Sequence, residues 1–265
     1  MENKIQRLRS TLRAMDNVLV AFSGGVDSAF LTKIAYDVLN IHAFAITITS
    51  PMHPQWELQQ AKQIADSIGI NHIILELSKT DLERIFENDE DRCYHCKKLI
   101  FKKIKQVADS YQINHILDGS NADDQEDYRP GTKALEELGI ISPLKDAGLT
   151  KQEIRMLSKK NGLKTSNLPS FACLASRFPY HIKISKEKLH QIERCEKHLR
   201  NLGIKQYRVR YHNEIARIEV DVKDFQVIID NKEIIINSFK EEGFQYITLD
   251  LQGYRSGSLN EGLHL

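Results

Sequence analysis

Ser23-Gly24-Gly25-Val26-Asp27-Ser28 puts two adjacent glycines, two hydroxyls and a carboxylate into six residues. Set between a strand and a helix, such a turn aims backbone N–H groups and the positive end of a helix dipole at an anion. The hydroxyls of Ser23 and Ser28 can donate to phosphate oxygens, and Asp27 can hold a magnesium ion. No Lys follows the glycines and the spacing is not GxGxxG, so neither a Walker loop nor a dinucleotide fingerprint fits. A plain turn of small residues is the ordinary explanation, and six specified residues in one setting count against it.

Cys93 and Cys96 have the spacing that lets two sulfurs share one metal or one disulfide. Of the four cysteines, Cys195 falls on an apolar helical stripe with Leu189, Ile192, Leu199 and Leu202, and reads as a small core residue. Cys173 lies off any such stripe, in a loop-like run at 172–179. Three thiolates suit a closed zinc site completed by His95 or another group, or a [4Fe–4S] cluster with one iron left open. Three unrelated thiols are the plainer alternative. Arg177, Arg208, Arg210 and Arg255 form a second constellation, since guanidinium forks suit phosphate. Period two places Arg208 and Arg210 on one strand face, and Arg217 with Glu219 on one face of the next. Cross-strand ion pairs of Arg208 or Arg210 with Glu219 would explain the same pattern without a ligand.

The elements that must position these groups follow from periodicity. The apolar run 18–22 predicts a strand buried on both faces, and Phe30, Leu31, Ile34, Ala35, Val38 and Leu39 predict the helix after the turn. Further strands are expected at 42–49, 72–77 and 115–118. Helices are expected at 55–69, beyond the cysteine pair through Ala108, and at 149–162, where Thr150 and Glu153 form a capping box. Strands alternating with helices give a parallel sheet whose ligands lie beyond the carboxyl ends. The polar run after the fourth strand, with Gly119, Asn121, Asp123 and Asp124, leaves the sheet at that end and so reads as functional. After a loop at 166–170 the pattern changes to a helix at 185–202, strands at 206–211 and 215–220, a helix at 232–242 and a strand at 246–251. The expected domains are 1–168, an α/β unit, and 169–265, a smaller α+β unit.

The 41% hydrophobic and 28% charged composition is that of a soluble globular protein. Basic and acidic residues nearly balance, 37 against 36, so no global basic footprint points to a nucleic acid partner. Residues 1–15 lack the apolar core of a signal peptide, and no run approaches membrane-spanning length. The expectation is a cytoplasmic protein with reduced cysteines and no membrane partner. A homo-oligomer is also expected, although no residue pattern specifies it.

SGGVDS resembles the signature of the PP-loop ATP pyrophosphatases, which cut ATP between the α and β phosphates and leave AMP on a substrate. With DYRPG at 127–131, CLASRFPY at 173–180, YRVRYHNEIARIE at 207–219 and GYRSG at 253–257, the chain resembles the LarE family of ATP-dependent sulfur transferases over nearly its whole length. The resemblance implies a PP-loop (adenine nucleotide alpha hydrolase-like) parallel sheet domain followed by a smaller α+β domain. It implies ATP and Mg2+, and pyridinium-3,5-dicarboxylate mononucleotide as substrate. Its carboxylates would be adenylated with release of pyrophosphate, and sulfur would then displace AMP. Two rounds would give the bisthiocarboxylate of the nickel-pincer cofactor of lactate racemase.

The resemblance also implies residue roles. Ser23, Gly24, Gly25, Asp27 and Ser28 would hold the ATP phosphates, and Thr49 lies at the strand end where adenine binds. Asp118, Gly119, Asn121 and Asp124 match the segment that closes over ATP and magnesium. Arg208 and Arg210 would bind the substrate phosphate or AMP, and Arg177 lies next to the sulfur centre. Glu219 matches an acidic site residue that could bind metal, with Glu126 and Asp127 as weaker candidates for the same role. Because Cys93 and Cys96 are present, the chain resembles the three-cysteine kind, in which Cys93, Cys96 and Cys173 hold a [4Fe–4S] cluster. Its open iron would carry a sulfide replenished by free sulfide or a sulfur-donating system. In the single-cysteine kind the residue matching Cys173 gives up its own sulfur and becomes dehydroalanine. A PP-loop tRNA thiolase and an ATP-binding module with structural zinc are the rivals.

Overall fold

The computed structural model describes residues 1–125, 130–169, 172–255 and 257–258. Glu126 and Asp127 lie outside the described residues, as does Ser170 of the expected linker. The chain divides into two compact units, Met1–Ile85 with Asp91–Ser170, and Phe86–Glu90 with Phe171–Leu265.

The first unit begins with helix α1 (Glu2–Arg13), strand β1 (Val18–Ala21), α2 (Val26–Leu39), β2 (Ala43–Thr49), α3 (Gln55–Ile68) and β3 (Asn71–Glu76). It continues with α4 (Lys79–Phe86), α5 (Arg92–Ser110), β4 (His115–Leu117), α6 (Pro130–Glu137), α7 (Pro143–Asp146) and α8 (Lys151–Lys160). The sheet order is β3-β2-β1-β4, and every pairing is parallel. Val18, Leu19 and Val20 of β1 are all fully buried. Their alternation explains why: Val18 and Val20 enter one apolar cluster with α1, α2, α3 and α8, while Leu19 enters another with Phe101 and Ile104 of α5. The predicted mixed α/β fold with a parallel sheet is therefore observed, and the predicted capping box of Thr150 and Glu153 opens α8. Gly69 ends α3 in the left-handed conformation at φ 82°, as its position suggested.

One boundary differs usefully from expectation. α5 starts at Arg92, so Cys93 and Cys96 belong to its first two turns instead of lying ahead of it. The polar CYHCKK run masks the start because its apolar periodicity begins only at Leu99.

The second unit contains α9 (Lys186–Asn201), β5 (Tyr207–His212), β6 (Ile215–Val220), α10 (Phe225–Asp230), α11 (Lys232–Glu241) and β7 (Tyr246–Leu249). β5 and β6 pair antiparallel across a turn containing Asn213 at φ 54°, and β7 joins β6 in parallel. Asn88, wholly buried, ties the segment Phe86–Glu90 to this unit: its Nδ2 donates to Pro179 O at 2.7 Å and Ile182 O at 2.8 Å. Among the described residues no helix is long and apolar enough to cross a membrane.

Candidate active site

β1 lies between β2 and β4, so the crevice where the sheet order reverses opens beside the turn that follows β1. That turn is braced by its own side chains. Ser28 Oγ donates to Gly25 O at 3.2 Å, lies 3.1 Å from Ser23 Oγ and accepts the Ser23 N–H at 3.3 Å. Gly25 is the N-cap of α2, whose first N–H groups have no partner within the helix. Gly24 holds φ 76°, and a Cβ there would sit 3.2 Å from Ala61 Cβ, so only glycine suits the position. Gly119, leaving β4, is equally constrained: a Cβ would lie 3.1 Å from Ser28 N and 3.2 Å from Ser28 Cα. The turns after β1 and β4 thus abut at the crevice.

Asp27, in the first turn of α2, carries the charge of this site. Lys151 at the start of α8 is ion-paired with its Oδ2, while its Oδ1 is buried without a hydrogen-bond partner among the described residues. Burial pushes the Asp27 carboxyl up, Lys151 pulls it down, and nearby Asp124 adds to the rise. The loop after β4 folds around the same point. Asn121 N–H donates to Asp124 Oδ2 at 2.9 Å, Asp123 N–H to Asn121 Oδ1 at 2.9 Å, and Lys151 N–H to Asp123 Oδ2 at 2.8 Å. A bare, shielded carboxylate oxygen is the hard donor that Mg2+ takes, so these residues fit that ion. Asp118, also predicted for the nucleotide, has both oxygens engaged by Ser120 and Ser142 hydroxyls and braces the loop.

At the end of β2, Thr47 Oγ1 donates to Phe22 O at 2.6 Å and lies 2.7 Å from His72 Nε2, which must then be the donor. Burial lowers the His72 pKa, consistent with a neutral ring. Thr49 is half-buried there, its carbonyl accepting Leu77 N–H at 3.0 Å.

Cys93 is exposed and Cys96 half-buried, three residues apart and hence on one face of α5. None of the four cysteines is joined in a disulfide. His95 Nε2 lies 3.3 Å from an Arg84 guanidinium nitrogen. Arginine only donates, so that Nε2 accepts and is occupied, which weakens His95 as a zinc ligand through this atom. Among the described residues no three His, Cys, Asp or Glu side chains are grouped as a metal site.

In the second unit the sulfur and arginine residues form a buried network. Cys173, half-buried, precedes a short turn of 3-10 helix at Leu174–Arg177. Arg177 is 1% exposed and grips Glu196 with two bonds, Nε to Oε1 at 2.7 Å and Nη2 to Oε2 at 3.0 Å. Its Nη1 donates to Ala172 O at 2.9 Å and Cys173 O at 3.2 Å, so this pair fixes the backbone that carries the thiol. Glu196 Oε1 also accepts Val209 N–H at 3.0 Å, which ties α9 to β5. Arg210 donates to Ser176 O, Glu219 Oε2 and Ser258 Oγ at 2.7, 2.8 and 2.7 Å. Glu219, fully buried, takes Arg217 on its other oxygen at 3.0 Å. The cross-strand ion pair weighed from sequence is therefore present between Arg210 and Glu219. Arg208 stacks over Tyr254 at 5.1 Å, and burial with neighbouring Arg177 pushes its pKa down to about 10, so it remains a cation at neutral pH.

The structure thus brings Ser23, Gly24, Gly25, Asp27, Ser28, Gly119, Asn121 and Asp124 together in one unit, and Cys173, Arg177, Arg208, Arg210 and Glu219 in the other. Sequence reasoning missed Lys151 and Glu196. Glu196 had a signal: it lies four residues after Ile192 and three before Leu199, on the apolar stripe, where a charge requires a partner. Lys151 had none, because its partner is 124 residues away.

The asparagine synthase family profile matches residues 6–121, the part that carries β1 to β4. The chain is 40% identical to a protein of Synechocystis sp. named only as uncharacterized, over 99% of both chains. It is 35% identical to the pyridinium-3,5-bisthiocarboxylic acid mononucleotide synthase of Lactiplantibacillus plantarum, over 99% of this chain and 96% of that one. A third relative, an uncharacterized protein of Methanocaldococcus jannaschii, is 33% identical over 96% of this chain and 98% of its own. With a braced phosphate turn at the sheet's switch point and end-to-end identity of this order, the chain belongs to the LarE family of PP-loop, ATP-dependent sulfur transferases.

Proposed function

We propose that the protein converts the carboxylates of pyridinium-3,5-dicarboxylate mononucleotide into thiocarboxylates at the expense of ATP, in the biosynthesis of the nickel-pincer cofactor of lactate racemase. The observation that carries this reading is the phosphate turn of Ser23 to Ser28 packed on Gly119, in a chain 35% identical to a synthase of the bisthiocarboxylate. A carboxylate oxygen is a poor leaving group. Attack of that oxygen on the α phosphorus of ATP breaks the bond to the β phosphate, releases pyrophosphate and leaves an acyl-adenylate. A sulfur nucleophile then adds to the acyl carbon, AMP departs, and oxygen has been exchanged for sulfur.

The chain's own groups suit these tasks. The N–H groups at the start of α2 and the hydroxyls of Ser23 and Ser28 would bind phosphate oxygens, and Asp27 would hold Mg2+, whose charge would offset that of the phosphates. Thr49 borders the adenine, and Arg208 and Arg210 provide cations for the substrate phosphate or AMP. Arg177 positions the Cys173 backbone through its carbonyls. Glu219 is assigned the orientation of Arg210 and Arg217.

Cys93, Cys96 and Cys173 are assigned as thiolate ligands of a [4Fe–4S] cluster, which when bound would supply the sulfur. The assignment is supported by three cysteines outside any disulfide, none of them in the core and two on one helical face. Free sulfide or a sulfur-donating protein would restore it. Iron, sulfide and zinc analysis of protein purified without oxygen tests the assignment. Iron and sulfide lost together in Cys93→Ser or Cys173→Ser support it. Iron-free active protein whose Cys173 has lost the mass of hydrogen sulfide would instead identify Cys173 as a sacrificial donor.

A further inference from the structure

The ion pair between Lys151 and Asp27 is used by neither the phosphate grip nor the sulfur residues. Lys151 is the first residue of α8, and its place is fixed twice: by the capping box of Thr150 and Glu153, and by its own N–H on Asp123 of the loop after β4. From there the side chain reaches Oδ2 of Asp27 on α2. The two side chains remain 30% and 18% exposed. Pairs exposed to this degree contribute little to stability, so stability is a weak reason for the contact.

The contact has a geometric effect. It makes the two oxygens of Asp27 unequal: Oδ2 is held by the ammonium, and Oδ1 is shielded with no hydrogen-bond partner within 3.5 Å among the described residues, Asn121 lying nearby. A carboxylate restrained at one oxygen cannot turn the other away from its site. The ammonium also places a positive charge beside Asp27, in a region where Asp124 lies near that carboxylate and Asp123 accepts the Lys151 N–H, and where the acidic groups alone would repel a polyphosphate. Asn121 and Asp124 face the same point from the loop after β4, and the turn of Ser23 to Ser28 faces it from β1.

We propose that Lys151 is a positioning residue of the nucleotide site: it holds Asp27 so that Oδ1 is presented to Mg2+, and it offsets the acidic charge that ATP must approach. The inference rests on the Mg2+–ATP reading of the turn. Groups that orient a metal ligand typically change metal affinity by about 10- to 100-fold when removed.

The test uses the full chain, Mn2+ as a paramagnetic probe and α,β-methylene-ATP, which resists cleavage between the α and β phosphates. Titrations followed by electron paramagnetic resonance compare wild type with Lys151→Met and Lys151→Arg, alongside AMP binding and ligand-free thermal unfolding. Lys151→Met should weaken Mn2+–nucleotide binding by about tenfold or more, leave AMP affinity unchanged and shift unfolding little. Lys151→Arg, which keeps the charge but spreads it over a plane, should fall between the two. If Lys151→Met does not fold, Lys151→Arg decides by the same titration. Wild-type affinity in the variants, or tighter binding, overturns the proposal while leaving the ATP reading intact. A wild-type chain that binds no nucleotide overturns both.

Discussion

Replacing Glu196 by Gln tests how the thiol-bearing turn is held. The substitution keeps the shape of the side chain and an acceptor for Val209 N–H, but removes the charge that meets Arg177 at 2.7 and 3.0 Å. Arg177 is 1% exposed, so the remaining guanidinium has no access to bulk water. Breaking one side of a buried, bidentate pair costs about 3–5 kcal/mol, because a charge is left behind without compensation. Domain stabilities are about 5–15 kcal/mol, so this is a large fraction of the second unit's total. The Ala172 and Cys173 carbonyls are donated to by the same Arg177, so Cys173 should also become more reactive. Urea unfolding followed by circular dichroism measures the first effect, and site-resolved maleimide labelling the second. The double variant Arg177→Leu with Glu196→Leu should recover much of the stability, since apolar replacement of a buried pair is often neutral, yet still expose Cys173. A loss below about 1 kcal/mol in Glu196→Gln, with unchanged labelling, would refute the clamp, because that is the range of a surface ion pair.

Three further outcomes follow from the geometry. Gly119→Ala drives a Cβ to 3.1 Å from the Ser28 backbone, and should cost about 1–3 kcal/mol and abolish nucleotide binding measured calorimetrically. Burial lowers the His53 pKa from 6.5 to about 4, so the folded chain binds fewer protons than the unfolded one between those values. Stability from this group is complete above pH 6.5 and is lost as pH falls toward about 4; His53→Gln should flatten urea midpoints across that window, with the slope from His72 and His212 remaining. Cys195, fully buried on α9 with its thiol pushed well above the usual range by burial, should tolerate Ala at a cost of about 1 kcal/mol, with metal content and activity unchanged.

What was legible in the sequence is what local chemistry specifies. The run VLVAF and the alternating helices specified a parallel sheet because strands buried on both faces must be continuously apolar. SGGVDS specified its own turn, and Gly119 could be placed at the same sheet end by position alone. The arginine strand showed the limit. Period two placed Arg208 and Arg210 on one face, but which carboxylates they meet depends on register and on α9, which no local pattern records. The grouping of Phe86–Glu90 with the second unit rests on Asn88 reaching Pro179 and Ile182, a contact between distant segments. Lys151 is invisible for the same reason, as an unremarkable lysine at a helix start. The start of α5 was misplaced because its first turn is polar and cysteine-bearing.

The most direct measurement is a single reaction on protein purified without oxygen, with Mg2+, ATP and pyridinium-3,5-dicarboxylate mononucleotide, followed by mass spectrometry. The account predicts AMP and pyrophosphate in equal amounts, and substrate in which sulfur has replaced oxygen. It also predicts that Asp27→Asn prevents both, because the carboxylate charge that would hold the metal at the shielded Oδ1 is lost. ATP left intact by the wild-type chain in the presence of this substrate, or AMP formed with no sulfur in the product, would contradict it.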